Sequence, residues 1–191
     1  MPELPEVETV CLALSKIVYN SKIENIEVLK SDLRWKIKKS LKHDLENDYF
    51  KQPLRRGKYI LIPTNKGNIF LIHLGMSGQI KIRDNFESNF KHDHVRMTIK
   101  SENDKRYFIT YNDPRRFGFI DLFHKKEINE HFLLKKLGVE PFEKNFNIDY
   151  LKTMFDKRMK CIKDTLMDQS VIAGIGNIYA SEILFKAKVN P

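Results

Sequence analysis

The chain has 191 residues, enough for one large domain or two small ones. Apolar residues at 41% can build a buried core, and no apolar run approaches the ~18 residues of a membrane span. Lys and Arg outnumber Asp and Glu by 34 to 25, a net charge of +9 that favours a polyanionic partner: nucleic acid, an acidic membrane face or an acidic protein.

The acidic, proline-bearing start Met1-Pro-Glu-Leu-Pro-Glu-Val-Glu is the opposite of a basic, then apolar, secretory signal, so a cytoplasmic address is expected. A helix is expected just after Pro5, because Val7, Val10, Cys11, Leu14, Ile17 and Val18 recur at helical spacing. Strand candidates follow at Lys22–Leu29, Lys58–Pro63, Asn68–Leu74, Gln79–Arg83, Val95–Lys100, Arg106–Tyr111 and Gly118–Phe123. Leu41–Asn47 reads as a short helix or a loop. Turn signals such as Asn65-Lys66-Gly67 and Asn112-Asp113-Pro114 separate the strands, as in a β-sandwich or barrel. Near residue 127 the period turns helical, with helices expected at Ile128–Leu137, Ile148–Lys157, Ile162–Ala173 and Ile178–Ala187. The fold class is therefore α+β: a helix and β-sandwich over 1–127, then a helical unit over 128–191. Cys11 and Cys161 lie far apart, outside any Cys-x-x-Cys pair, and read as reduced thiols packed as small hydrophobes.

Several residues carry chemistry. Removal of Met1 would leave Pro2 with a free secondary amine, a nucleophile that forms Schiff bases; Glu3 and Glu6 could add acid and base work. On residue types alone, prolines that start a helix and glutamates that complement its dipole explain the same run. Lys58 opens a strand behind two arginines, where it is either a fixed phosphate contact or part of a solvated basic face. On residue type alone Met76 and Phe117 read as core residues, but their places in glycine-rich loops argue for exposure instead. His92 and His94, two apart on an expected strand, would share a face, but two ligands are too few for a metal and none is expected. Gly174-Ile175-Gly176-Asn177 leads into a helix whose free N–H groups could bind phosphate, with Asn177 as N-cap; the same turn could be purely structural.

The decapeptide Met1-Pro-Glu-Leu-Pro-Glu-Val-Glu-Thr-Val10 resembles the start of the formamidopyrimidine-DNA glycosylases, bacterial enzymes that excise oxidised purines. Arg55-Arg56-Gly57-Lys58-Tyr59, His73-Leu74-Gly75-Met76-Ser77-Gly78, Lys91-His92-Asp93-His94-Val95, Asn112-Asp113-Pro114-Arg115-Arg116-Phe117-Gly118 and the run from Leu166 to Glu182 follow in the family's order. The last resembles its helix–two-turn–helix element. The resemblance implies two domains with DNA between them. It implies Pro2 as the nucleophile at C1′, Glu3 as proton donor to the opening sugar, Glu6 as a supporting carboxylate and Lys58 as phosphate contact and proton donor for β-elimination. Met76, Arg115 and Phe117 would fill the gap left by a nucleotide turned out of the stack. His92, Arg115, Arg116, Arg158, Lys163, Gly176 and Asn177 would contact DNA. Leu4 and the Met-Arg-Phe set resemble the purine enzymes rather than their pyrimidine-preferring sister family.

The implied partner is double-stranded DNA carrying oxidised purines or abasic sites, bound by a monomer that works at the nucleoid. A non-enzymatic binder of damaged or abasic DNA is the alternative, disfavoured by an intact Pro2, Glu3, Glu6 and Lys58. Family chains run on past the equivalent of Pro191 to a four-cysteine Zn2+ finger that serves δ-elimination, and these residues hold no ligands for it. An incomplete chain, with weak stability in its helical half, is the expectation.

Overall fold

The computed structural model describes residues 2–85, 90–156 and 158–191. Helix α1 (Leu4–Val18) turns Val7, Cys11, Leu14 and Val18 inward. Strands β1 (Lys22–Val28), β6 (Asp93–Lys100), β7 (Arg106–Asn112) and β5 (Gln79–Arg83) form one antiparallel sheet in that order. Strands β2 (Leu54–Arg56), β3 (Tyr59–Pro63), β4 (Asn68–His73) and β8 (Phe119–His124) form the second. A short helix α2 (Leu41–Leu45) resolves the open reading of Leu41–Asn47.

Alternation decides which face each sheet buries. On the second sheet Ile60, Ile62, Phe70, Ile72, Ile120 and Leu122 face the first sheet's Ile23, Ile26, Val95, Met97, Ile99, Ile109 and Tyr111, and α1 joins the same cluster. Removing one fully buried aromatic here, such as Phe70, would cost about 3–5 kcal/mol in lost burial and cavity. The opposite set, Leu61, Ile69, Leu71, Phe119 and Phe123, makes a second cluster on the outer face, covered by Ile128, Leu133, Leu134 and Leu137.

That cover corrects one expectation. Residues 128–137 are successive turns, not a helix. Their apolar spacing reflects burial on a sheet, and a period of burial is not by itself a helix. Helix α3 (Ile148–Asp156) lies where expected; Lys157, its expected end, and Met1 lie outside the described residues. Helix α4 is Ile162–Met167 rather than Ile162–Ala173. Asp168 ends it, because its carboxylate accepts from Ser170 N and Oγ (2.9 and 2.6 Å) and pulls the chain into turns. Helix α5 (Asn177–Ala187) packs Ala180 and Leu184 with Leu166, Val171 and Ile172 of the preceding segment. Strand β2 was absent from the sequence reading. Cys161 is exposed at the start of α4, against its expected burial, whereas Cys11 is buried.

Candidate active site

The chain's start is joined to its far end. Glu3, extended at φ −105°, precedes α1, and its backbone N–H donates to Glu6 Oε2 at 2.9 Å. The Glu3 side chain is 1% exposed. Its carboxylate accepts from Gly176 N and Ile178 N at 2.8 Å and from Tyr179 N at 3.2 Å. Leu4 N adds a bond to Gly174 O at 3.0 Å. Hydrogen bonds to a charged group contribute about 1.5–3 kcal/mol each, and the positive end of α5 favours an anion there. The amides of α5 that the sequence reading offered to phosphate are thus held by Glu3. The cap residue of α5 is Gly176, not Asn177, which is the first helical residue and is exposed.

Lys58 is 9% exposed and meets Glu3 at one α-carbon. A Cβ on Gly176 would lie 2.6 Å from Glu3 Cδ and 2.7 Å from Lys58 Nζ, so only glycine lets these two groups converge there. Burial pushes the Lys58 ammonium below the usual lysine range, opposed by the charges of Glu3 and Glu6. Pro2, partly buried, directly precedes Glu3. Amine, carboxylates and buried lysine therefore share one corner.

A residue that the sequence reading passed over holds this corner. Glu140, in the Gly-Val-Glu-Pro break, is 7% exposed. Its Oε1 accepts from Arg56 Nη1 (2.8 Å) and Gly57 N (2.6 Å), and its Oε2 from Arg55 Nη1 (2.6 Å). Arg55 also reaches Glu8 at 2.5 Å, and Arg56 donates to Leu137 O and Gly138 O. The two arginines before Lys58 are thus struts. Burial opposes the Glu140 charge, but the arginines and the Gly57 amide hold its pKa below the usual carboxylate range. An acid inside a Gly…Pro break was the available signal.

His73 opens the His73–Gly78 motif. Its ring lies 4.9 Å from Tyr59, its Nδ1 accepts from Gly75 N at 3.2 Å, and burial with the Lys58 and Arg34 charges lowers its pKa to about 4. It is neutral at pH 7.

Met76 is 41% and Phe117 47% exposed. The Arg115 guanidinium lies over the Phe117 ring at 5.0 Å. Arg116 is paired with Asp32, and its φ of +59° is a left-handed conformation. His92 sits in a turn before β6 and His94 is buried in the strand, so the two do not share a strand face as expected. In the helical part Arg158 is paired with Asp168, whose pKa falls to about 2 through its bonds to Ser170 and Arg158. Lys163 is partly exposed on α4. None of the described residues forms a group of three or more His, Cys, Asp or Glu able to hold a metal, and Cys11 and Cys161 lie on separate elements, so the residues present do not fit zinc.

Two family models match the chain: the formamidopyrimidine-DNA glycosylase N-terminal domain over residues 1–120 and the formamidopyrimidine-DNA glycosylase H2TH domain over 137–191. The formamidopyrimidine-DNA glycosylase of Bartonella henselae is 41% identical, covering 100% of this chain and 68% of the relative. That of Idiomarina loihiensis is 40% identical over the same shares. Among solved structures, the Lactococcus lactis enzyme non-covalently bound to DNA with an abasic site superposes with a TM-score of 0.88 at 33% identity, covering 99% of this chain and 71% of that one. The same enzyme with DNA containing an oxidised pyrimidine gives 0.89 at 34%, covering 100% and 70%.

Proposed function

Since this chain belongs to the formamidopyrimidine-DNA glycosylases, base-excision repair enzymes with glycosylase and abasic-site lyase activity, we propose how its own residues divide that chemistry. The Pro2 amine attacks C1′ of the damaged nucleotide, the oxidised purine leaves, and a Schiff base forms on the opened sugar. Glu3 takes up the proton that the Pro2 amine releases on attack and passes it to the opening ring oxygen, with three backbone amides holding its carboxylate in place. Glu6 supports it by capping the Glu3 amide. Lys58 contacts the adjacent phosphate and donates the proton of β-elimination; its lowered pKa makes that exchange easier near neutrality than for an exposed lysine.

Met76, Arg115 and Phe117 form the wedge that refills the stack. His92, Arg116, Arg158, Lys163, Gly176 and Asn177 line the DNA path. Arg116 and Arg158 do so while sharing Asp32 and Asp168. The partner is double-stranded DNA bearing 8-oxoguanine, formamidopyrimidines or an abasic site, bound by a monomer in the cytoplasm between units 1–127 and 128–191. No helix among the described residues is long and apolar enough to cross a membrane.

The convergence of Glu3 and Lys58 on Gly176, next to Pro2, carries this reading. Borohydride trapping on a duplex with one 8-oxoguanine tests it. A covalent complex linked through Pro2 is expected. Trapping only on a pre-formed abasic site would reduce the proposal to the lyase, and no trapping on either would favour a binder of damaged DNA.

A further inference from the structure

Met76 and Phe117 belong to different loops, 41 positions apart by their numbers. A wedge built from two loops works only if their spacing is fixed before DNA arrives, since a gap in a base stack is only one base thick. One buried group sits where it could fix it. Asp113 is 0% exposed, and its two oxygens serve the two loops separately. Oδ1 accepts from Ser77 Oγ at 2.5 Å, next to Met76; Oδ2 accepts from Gly118 N at 2.7 Å, next to Phe117. Ser77 closes the ring, because its Oγ accepts from Arg115 N at 3.1 Å.

The backbones themselves touch. Gly75 is left-handed at φ +59°, and a Cβ there would fall 2.4 Å from the Phe117 carbonyl carbon. Asp113 is in turn anchored from behind: its N–H donates to His92 O at 3.0 Å, and its own carbonyl oxygen lies 3.1 Å from His94 Nε2. Burial and the Asp113 charge push the neighbouring Tyr111 phenol far upward, so it stays a neutral donor, to His73 O at 3.1 Å.

We infer that Asp113 and Ser77 are positioning residues that lock the Met76 loop to the Arg115–Phe117 loop, so that the three wedge side chains enter the duplex as one rigid body. The inference rests on the wedge role given to those side chains above. Asp113 and Ser77 act through the two loops they tie together. Their effect is confined to substrates in which a stack must be refilled, and a single-stranded abasic oligonucleotide has no such stack.

The test compares the wild-type chain with Ser77→Ala, Ser77→Thr and Asp113→Asn. Ser77→Ala removes the bridge but no core volume. Ser77→Thr keeps the hydroxyl. Asp113→Asn keeps an acceptor for Gly118 N but meets Ser77 with a donor. Single-turnover release of 8-oxoguanine from duplex DNA should fall about tenfold in Ser77→Ala, as a small misplacement of a positioned group does. It should recover to within about twofold in Ser77→Thr and lie between the two in Asp113→Asn. Lyase activity on the single-stranded abasic oligonucleotide should be unchanged in all of them. Wild-type excision by Ser77→Ala, or an equal loss on both substrates, would overturn the inference. A second readout needs no chemistry: fluorescence of 2-aminopurine opposite a tetrahydrofuran abasic analogue, which changes when the wedge enters. If the wild-type chain binds but does not excise, the catalytic proposal fails while this signal still decides the lock. A smaller change in Ser77→Ala than in wild type supports it, and an equal change rejects it.

Discussion

The Glu3–Lys58 corner, proposed for catalysis, and the Met76–Phe117 loops, proposed as the wedge, are built differently. The corner is assembled across the whole chain: Glu3 is bonded to residues 173 to 176 positions away, and Arg55, Arg56 and Gly57 to Glu140, 83 to 85 positions away. The wedge is assembled inside the sandwich, where Ser77 reaches Asp113 and Arg115 over 36 and 38 positions. The corner therefore depends on the helical unit being docked, and the wedge depends only on its own sheets. A disturbance of the helical unit should silence chemistry while leaving wedge insertion intact.

The largest separation of the two comes from the amine. One uncleaved residue placed ahead of Pro2 turns the amine into an amide, and trapping should fall by about 1000-fold or more, as loss of a covalent nucleophile does. Entry of the wedge, read by 2-aminopurine, should be unchanged; a parallel loss of both would mean that the corner and wedge are one unit. Next in size is Glu140→Ala. It leaves two partly buried guanidiniums and the Gly57 amide without their acceptor, a loss of about 3–5 kcal/mol in stability when a buried pair is broken from one side. Denaturant melts should show that cost, and trapping at a temperature where the variant is folded should fall because Lys58 loses its strut. Glu140→Gln, which keeps an acceptor for Gly57 N, should fall between. Trapping at the wild-type rate by folded Glu140→Ala would remove Glu140 from the corner.

Legibility followed the same division. Strands of the sandwich were readable because one face of each is buried and turn residues punctuate them; β3 and β4 end within one residue of expectation. Strand β2 escaped because Leu54–Arg56 is three residues, two of them charged, and takes its partners from Glu8 and Glu140 rather than from alternation. The stretch from Ile128 misled because side chains covering a sheet can repeat at helical spacing. Helix α4 was overextended because a carboxylate that bonds forward to Ser170 has no apolar signature. The candidate residues were nameable one by one, from motif order. What no local pattern carried was their partnering: Glu3 on the amides of α5, Arg116 on Asp32 and Arg158 on Asp168.

The smallest effects are two pH windows, one for each region. His73 titrates at about 4 in the folded chain against the ordinary histidine value of 6.5, so between those values the unfolded chain binds a proton that the folded chain refuses. Stability therefore falls as pH drops through that window, by up to about 3 kcal/mol, in the sandwich rim where His73 meets Tyr59 and Gly75. Asp168 has the opposite origin but the same direction of loss. Its pKa is lowered from 3.8 to about 2, so its contribution is full above 3.8 and is lost as pH falls through about 2. With its side chain 24% exposed, screening reduces that contribution to about 1 kcal/mol. Amide hydrogen exchange from pH 7 down to about 2 should show β3 and β4 losing protection first, with α4 and α5 holding until the second window. His73→Asn should remove the first loss and leave the second. Early loss of protection in α4 and α5 would show instead that the helical unit is coupled to the sandwich rim, and the corner and the wedge would then share their stability after all.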